Sequence, residues 1–139
     1  MIPHKPFTII VADDDQDDRE LLRSLFSHND RFTLIGCLTS GIEVLDEIVR
    51  KKNVPDILLI DMYMPFFTGV EVVKKIDENG SAPDLQKFII STTINTVEEE
   101  KNLNNPSVKF LTKPVTLAEI DDLPGIILEH LNLDNHLRI

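Results

Sequence analysis

The sequence predicts an α/β fold, a small doubly wound parallel sheet with helices on both faces, and three observations carry that prediction. Apolar runs of strand length alternate with stretches of helical periodicity along the 139-residue chain. The clearest run, Ile57-Leu58-Leu59-Ile60, has no polar interruption, as expected of a strand buried on both faces. Three of the runs lead directly into polar groups: Asp13-Asp14-Asp15, Asp61, and Thr112-Lys113-Pro114. Those groups fall at the carboxyl edge of the predicted sheet, where open α/β folds bind their ligands.

The elements follow in order. The first strand is Thr8 to Ala12, within an apolar run that starts at Phe7. Acids next to a helix N-terminus complement the helix dipole, and we assign Asp15, Asp17 and Asp18 to such a solvated helix start. Leu21, Leu22, Leu25 and Phe26 then recur at helical spacing until Asn29-Asp30. Phe32 to Leu38 reads as the second strand. Thr39 or Ser40 is the N-cap of a second helix with Ile42, Leu45, Ile48 and Val49 on one face. Arg50-Lys51-Lys52 suits its C-terminus, and Val54-Pro55 breaks it. Asp56 to Ile60 is the third strand. A helix from about Gly69 to Glu78 turns Val70, Val73 and Ile76 inward and closes at Asn79-Gly80.

Lys87 to Ser91 is the fourth strand. A polar helix over roughly Thr96 to Leu103 stops at Asn104-Asn105-Pro106, and Val108 to Leu111 is the fifth strand. Proline is tolerated in a first helical turn and costly in an interior. Pro124 therefore predicts a short turn at Thr116 to Ile120 and a main last helix beginning near Asp122. Five strands alternating with helices imply right-handed crossovers, and the order 2-1-3-4-5 is the small doubly wound solution we select.

Composition narrows the function classes. The length fits a single domain, residues 1–139, with a core of about 7–132 and a tail over 133–139. A hydrophobic fraction of 42% supports one core. The formal net charge of −10 repels phosphate backbones, so no nucleic-acid partner is expected. No apolar run approaches the ~20 residues of a membrane helix, and the N-terminus does not read as a signal peptide. The single cysteine, Cys37, excludes an internal disulfide, suits a reducing cytoplasm and is read as buried strand filler.

Asp13-Asp14, Asp61 with Met64-Pro65 and Gly69, Ser91-Thr92-Thr93, and Lys113-Pro114 together resemble the receiver domain of two-component response regulators. The resemblance runs from Thr8 to about Leu131, nearly the whole chain. It implies a flavodoxin-like (βα)5 fold, and because the last predicted helix lies close to residue 139 we expect a receiver of the stand-alone type. It implies that Asp61 accepts a phosphoryl group from a histidine kinase or a histidine phosphotransfer protein. It implies Mg²⁺, with Mn²⁺ able to substitute, held by Asp14, Asp61 and the backbone carbonyl of Tyr63, with Asp13 acting mainly through a water. Lys113 would pair with the acceptor and then with the phosphoryl oxygen, and Thr92 would donate its hydroxyl.

By the same resemblance Thr92 and Phe110 are the switch positions. Tyr63 and Ile94 are expected to flank the phosphoryl group, either lengthening its lifetime by hindering the hydrolytic water or simply covering the site. Output would pass by protein contact through the face of the fourth helix, fifth strand and last helix. Self-association is left open. Ser91 is assigned to packing. In the unusual Phe66-Phe67-Thr68 stretch, one phenylalanine is expected at the surface, with partner contact and local packing both open.

The physical chemistry agrees with this reading. Phosphoryl transfer depends on positioning and charge neutralisation, a carboxylate can form an acyl phosphate, and oxygen ligands suit Mg²⁺. The chain would then catalyse only its own phosphorylation and dephosphorylation. The competing readings fit less well. A phosphate-independent receiver-fold module usually lacks an acid, the acceptor or the lysine. A haloacid-dehalogenase-type phosphatase needs an acid two residues after its nucleophile, where Tyr63 stands. A nucleotide-binding domain needs a glycine-rich loop after the first strand, which is missing.

Overall fold

The computed structural model describes residues 5–92 and 107–134. Five strands form one sheet: β1 (Phe7–Ala12), β2 (Phe32–Leu38), β3 (Ile57–Asp61), β4 (Gln86–Ser91) and β5 (Val108–Thr112). Their order is β2-β1-β3-β4-β5 and every pairing is parallel, as predicted. Such a sheet needs both faces covered, and alternation of side chains along each strand supplies both. Ile10, Leu58, Ile60 and Ile89 point to one face with Val44, Ile48, Val73 and Ile76. Ile9, Leu59, Phe88 and Ile90 point to the other with Leu22, Phe26, Leu123 and Ile127. Each such fully buried side chain contributes about 1.5–3 kcal/mol relative to exposure.

The helices start where their caps allow. α1 (Gln16–Ser27) is capped by Asp15, whose side chain accepts from the Asp18 N–H. It buries Leu22 and Phe26 and leaves Leu21 40% exposed. α2 (Gly41–Leu45) is capped by Ser40 and runs into a π-helical turn, Asp46–Arg50. Its inward positions are Val44 and Ile48, one turn apart, so Ile42 is 54% exposed rather than on the buried face expected for it. α3 (Gly69–Asn79) starts at a reciprocal capping box between Thr68 and Glu71. It ends at Gly80, whose φ of 75° is the left-handed conformation glycine adopts without strain. Val72 joins Val73 and Ile76 in the core, a position missing from the predicted stripe.

α4 (Leu117–Asp134) corrects the expectation of a turn followed by a separate helix. It is continuous, with Pro124 inside it. Thr116 and Glu119 cap its start reciprocally, so the helix begins before the proline instead of at it. Leu123, Ile127 and Leu131 are buried against the sheet on both sides of Pro124. That packing offsets a lost interior hydrogen bond, a defect of about 3 kcal/mol in an exposed helix. The helix also covers 133 and 134, the first residues of the expected tail. Cys37 is half-buried, with its thiol 3.9 Å from the Arg19 carbonyl, so it is not the fully buried filler expected.

Two polar pairs lie under the sheet edges. Lys87 is 2% exposed, and its Nζ donates to Asp77 Oδ1 at 2.8 Å, joining β4 to α3. Asp56 accepts from the Thr8 N–H at 2.9 Å, joining β3 to β1 at the amino edge. The predicted fourth helix over 96–103 and Ile94 lie outside the described residues.

Candidate functional site

The strand order reverses direction between β1 and β3, and that crevice at the carboxyl edge is where doubly wound sheets bind ligands. Asp13 follows β1 directly and Asp61 is the last residue of β3. Both are buried, Asp13 completely and Asp61 at 7% exposure. Their backbones are fixed by the sheet. Asp13 N–H donates to the Leu38 carbonyl at 3.1 Å, and Met62 N–H donates to the Ile90 carbonyl at 2.8 Å. Gly69 fixes the exit from β3, donating to the Met62 carbonyl at 2.8 Å. A Cβ there would stand 2.9 Å from the Asp61 carbonyl oxygen, so the close approach requires glycine.

The carboxylates of Asp13, Asp14 and Asp61 each offer an oxygen within 4.8 Å of the others. Lys113 reaches this group from the loop after β5, its N–H donating to the Ser91 carbonyl at 2.9 Å. Its Nζ lies 3.0 Å from Asp13 Oδ2, 2.8 Å from Asp18 Oδ2 and 3.5 Å from Asp61 Oδ1. Residues separated by about a hundred positions thus share one ammonium. Asp18 is the member that the sequence reading missed. It lies in the first turn of α1, the helix that starts beside Asp13, where an acid reads in sequence as an ordinary helix start.

The electrostatics record an excess of negative charge. Burial and the neighbouring Asp13 carboxylate push Asp61 from its ordinary 3.8 up to about 6, against the pull of Lys113, and Asp14 adds to the rise. Asp13 is also raised, by burial first, although the Asp15 N–H and Lys113 oppose the shift. Burial works against the charged form of Lys113, but its bonds to Asp18 and Asp13 and the charge of Asp61 outweigh that and raise it. The lysine is therefore cationic, and the strain falls on the acids. A hard divalent cation fits this donor set: carboxylate oxygens converge, two of the three groups are buried, and burial and the neighbouring carboxylates raise Asp61.

The remaining predicted residues are arranged as follows. Thr92 comes directly after β4 and is exposed; β4 pairs with β3 so that Ile90 faces Asp61 across the ladder. Phe110, on β5, is half-buried, packs on the core cluster and pairs with Ile89 across the β4–β5 ladder. Tyr63 is 49% exposed on the loop after β3. In the same loop Phe66 is 86% exposed with a left-handed φ of 71°, whereas Phe67 packs on the core with the Lys75 ammonium 5.2 Å from its ring centre. The adjacent phenylalanines therefore split, one outward and one inward. Ser91 is fully buried, as its assignment to packing required.

A family model for the response regulator receiver domain matches residues 9–123. Among curated proteins, the probable C4-dicarboxylate response regulator DctR of Priestia megaterium is 31% identical over 110 residues, 79% of this chain and 46% of its own length. The response regulator MprA of Mycobacterium tuberculosis is 31% identical over 112 residues, 81% of this chain and 46% of its own. The chain thus spans less than half the length of these relatives. Among solved structures, the signal receiver domain of the putative response regulator NarL from Mycobacterium tuberculosis superposes with a TM-score of 0.72 at 22% identity, covering 90% of this chain and 98% of that one. The Mn²⁺-bound form of response regulator Rcp1 gives 0.70 at 21% identity, covering 88% and 91%. At these identities the structures speak for the fold.

Proposed function

The chain belongs to the response regulator receiver domain family, and from that membership we propose that Asp61 accepts a phosphoryl group in a Mg²⁺-dependent reaction. The observation that carries the reading is the meeting of Asp61 with two further carboxylates and the Lys113 ammonium at one strand-end crevice. The donor is a phosphohistidine on a sensor kinase or a histidine phosphotransfer protein. A carboxylate oxygen of Asp61 forms the new O–P bond as the N–P bond of the donor breaks, and the departing imidazole takes up a proton.

Asp14, Asp61 and the Tyr63 carbonyl would hold the metal, with Asp13 supporting it through a water. When bound, the divalent ion, Mg²⁺ or Mn²⁺, neutralises phosphoryl oxygens and so lowers repulsion between donor and acceptor. Lys113 orients on Asp61 before transfer and on a phosphoryl oxygen after it. Thr92 donates its hydroxyl to another oxygen, and Phe110 follows the shift of that loop. Tyr63 and Ile94 limit access of the hydrolytic water and so lengthen the life of the acyl phosphate; Tyr63→Asn should shorten it.

Residues 1–139 act as a single receiver domain, and output runs by protein contact through β5, α4 and the segment over 96–103. The protein acts in the cytoplasm, in keeping with its single cysteine. Incubation with acetyl phosphate and Mg²⁺ tests the reading by intact mass. One phosphoryl group should be gained, and none in Asp61→Asn. A wild-type protein that gains nothing contradicts the proposal and favours a phosphate-independent interaction module.

A further inference from the structure

Asp18 has no part in the mechanism above, yet it is the nearest carboxylate to the Lys113 ammonium, at 2.8 Å against 3.0 Å for Asp13 and 3.5 Å for Asp61. Resting on the function proposed above, we propose that Asp18 is a positioning residue that draws Lys113 away from the acceptor and so restrains phosphoryl uptake at Asp61.

The argument is one of donors and burial. An ammonium has three N–H donors, and here three carboxylates compete for them. An incoming phosphoryl group takes over the donor that Asp61 holds at 3.5 Å, and the ammonium must move toward it, so one of the closer contacts, to Asp13 or to Asp18, must lengthen. Asp13 is completely buried, and releasing it would leave a bare charge away from water. Asp18 is 41% exposed and can be hydrated again once released. Its backbone is held by the N-cap of α1, where the Asp18 N–H donates to Asp15 Oδ1 at 3.0 Å, so its side chain starts from a fixed first turn. The partner that yields is therefore Asp18, and its hold on Lys113 opposes every transfer. Its charge also repels an approaching phosphoryl dianion. A part-exposed ion pair of this kind has a modest worth, so its loss should accelerate uptake by about two- to fivefold.

The test measures the rate of mass gain from acetyl phosphate at saturating Mg²⁺ for wild type, Asp18→Asn, Asp18→Glu, Lys113→Ala and Asp18→Asn with Lys113→Ala. Asp18→Asn should label faster by that factor, Asp18→Glu should stay near wild type, and the acceleration should vanish without Lys113. The Lys113 Nζ resonance in ¹⁵N NMR should shift in Asp18→Asn before any phosphodonor is added, which loss of a helix-start charge alone would not produce. An unchanged or slower rate in Asp18→Asn overturns the inference, as does an unmoved Nζ resonance or an equal acceleration without Lys113. Wild type that labels while Asp18→Asn matches it sinks this inference alone; wild type that never labels sinks the proposed function with it.

Discussion

Asp61 holds its proton more tightly in the folded protein than in the unfolded chain, because burial and Asp13 raise it from 3.8 to about 6. A raised folded value gives a stabilising contribution that is complete below about pH 4 and is lost as pH climbs through about 6. Asp61→Asn carries no charge to relieve, so the metal-free variant should be more stable than wild type by about 3 kcal/mol at pH 7–8. The gap should close below about pH 4, as thermal melts across pH would record. Protons and the cation also compete for the same carboxylate. Apparent Mg²⁺ affinity, read by titration calorimetry, should therefore weaken as pH falls below about 6. At this scale the sequence was informative wherever a polar residue ended an apolar run, as Asp13, Asp61 and Lys113 do. It was silent on Asp18, because a helix-start acid looks the same whether it meets solvent or a lysine a hundred positions away.

Gly69 and Gly125 look alike in sequence and differ in what surrounds them. At Gly69 a methyl group would meet the Asp61 carbonyl oxygen at 2.9 Å, so Gly69→Ala must displace the exit from β3. We expect a loss of about 1–3 kcal/mol in stability, as overpacking brings, together with slower labelling of Asp61. At Gly125, inside α4, a Cβ would meet nothing within 4 Å. Gly125→Ala should therefore raise stability by about 0.5–1 kcal/mol in chemical denaturation. The last helix was the least legible element for the same reason. Local propensity argues that Pro124-Gly125 interrupts it, and only the burial of Leu123, Ile127 and Leu131 on one sheet face overrides that. The second helix misled differently: the π-helical turn at Asp46–Arg50 departs from simple 3.6 periodicity, and Val44 takes the core position that Ile42 was expected to share.

The whole molecule joins two cores through one sheet, and both cores meet the crevice that holds Asp13 and Asp61. Its strand order was legible because uninterrupted apolar runs admit few arrangements once crossovers are right-handed. The crevice concentrates acids in a chain of net charge −10, so a bound divalent cation should stabilise the entire fold. At a hundredfold excess over its dissociation constant the gain is about 2.7 kcal/mol. The melting temperature of wild type should rise steadily with Mg²⁺, whereas Asp14→Asn should respond little over the same range.

Trapping the acyl phosphate tests the central claim most directly. Borohydride reduces a phosphorylated aspartate to homoserine, which peptide mass mapping then locates. After acetyl phosphate and Mg²⁺, homoserine should be found at position 61 and should be absent when Mg²⁺ is chelated. Homoserine at another position, or none at all in a folded protein, would contradict the account.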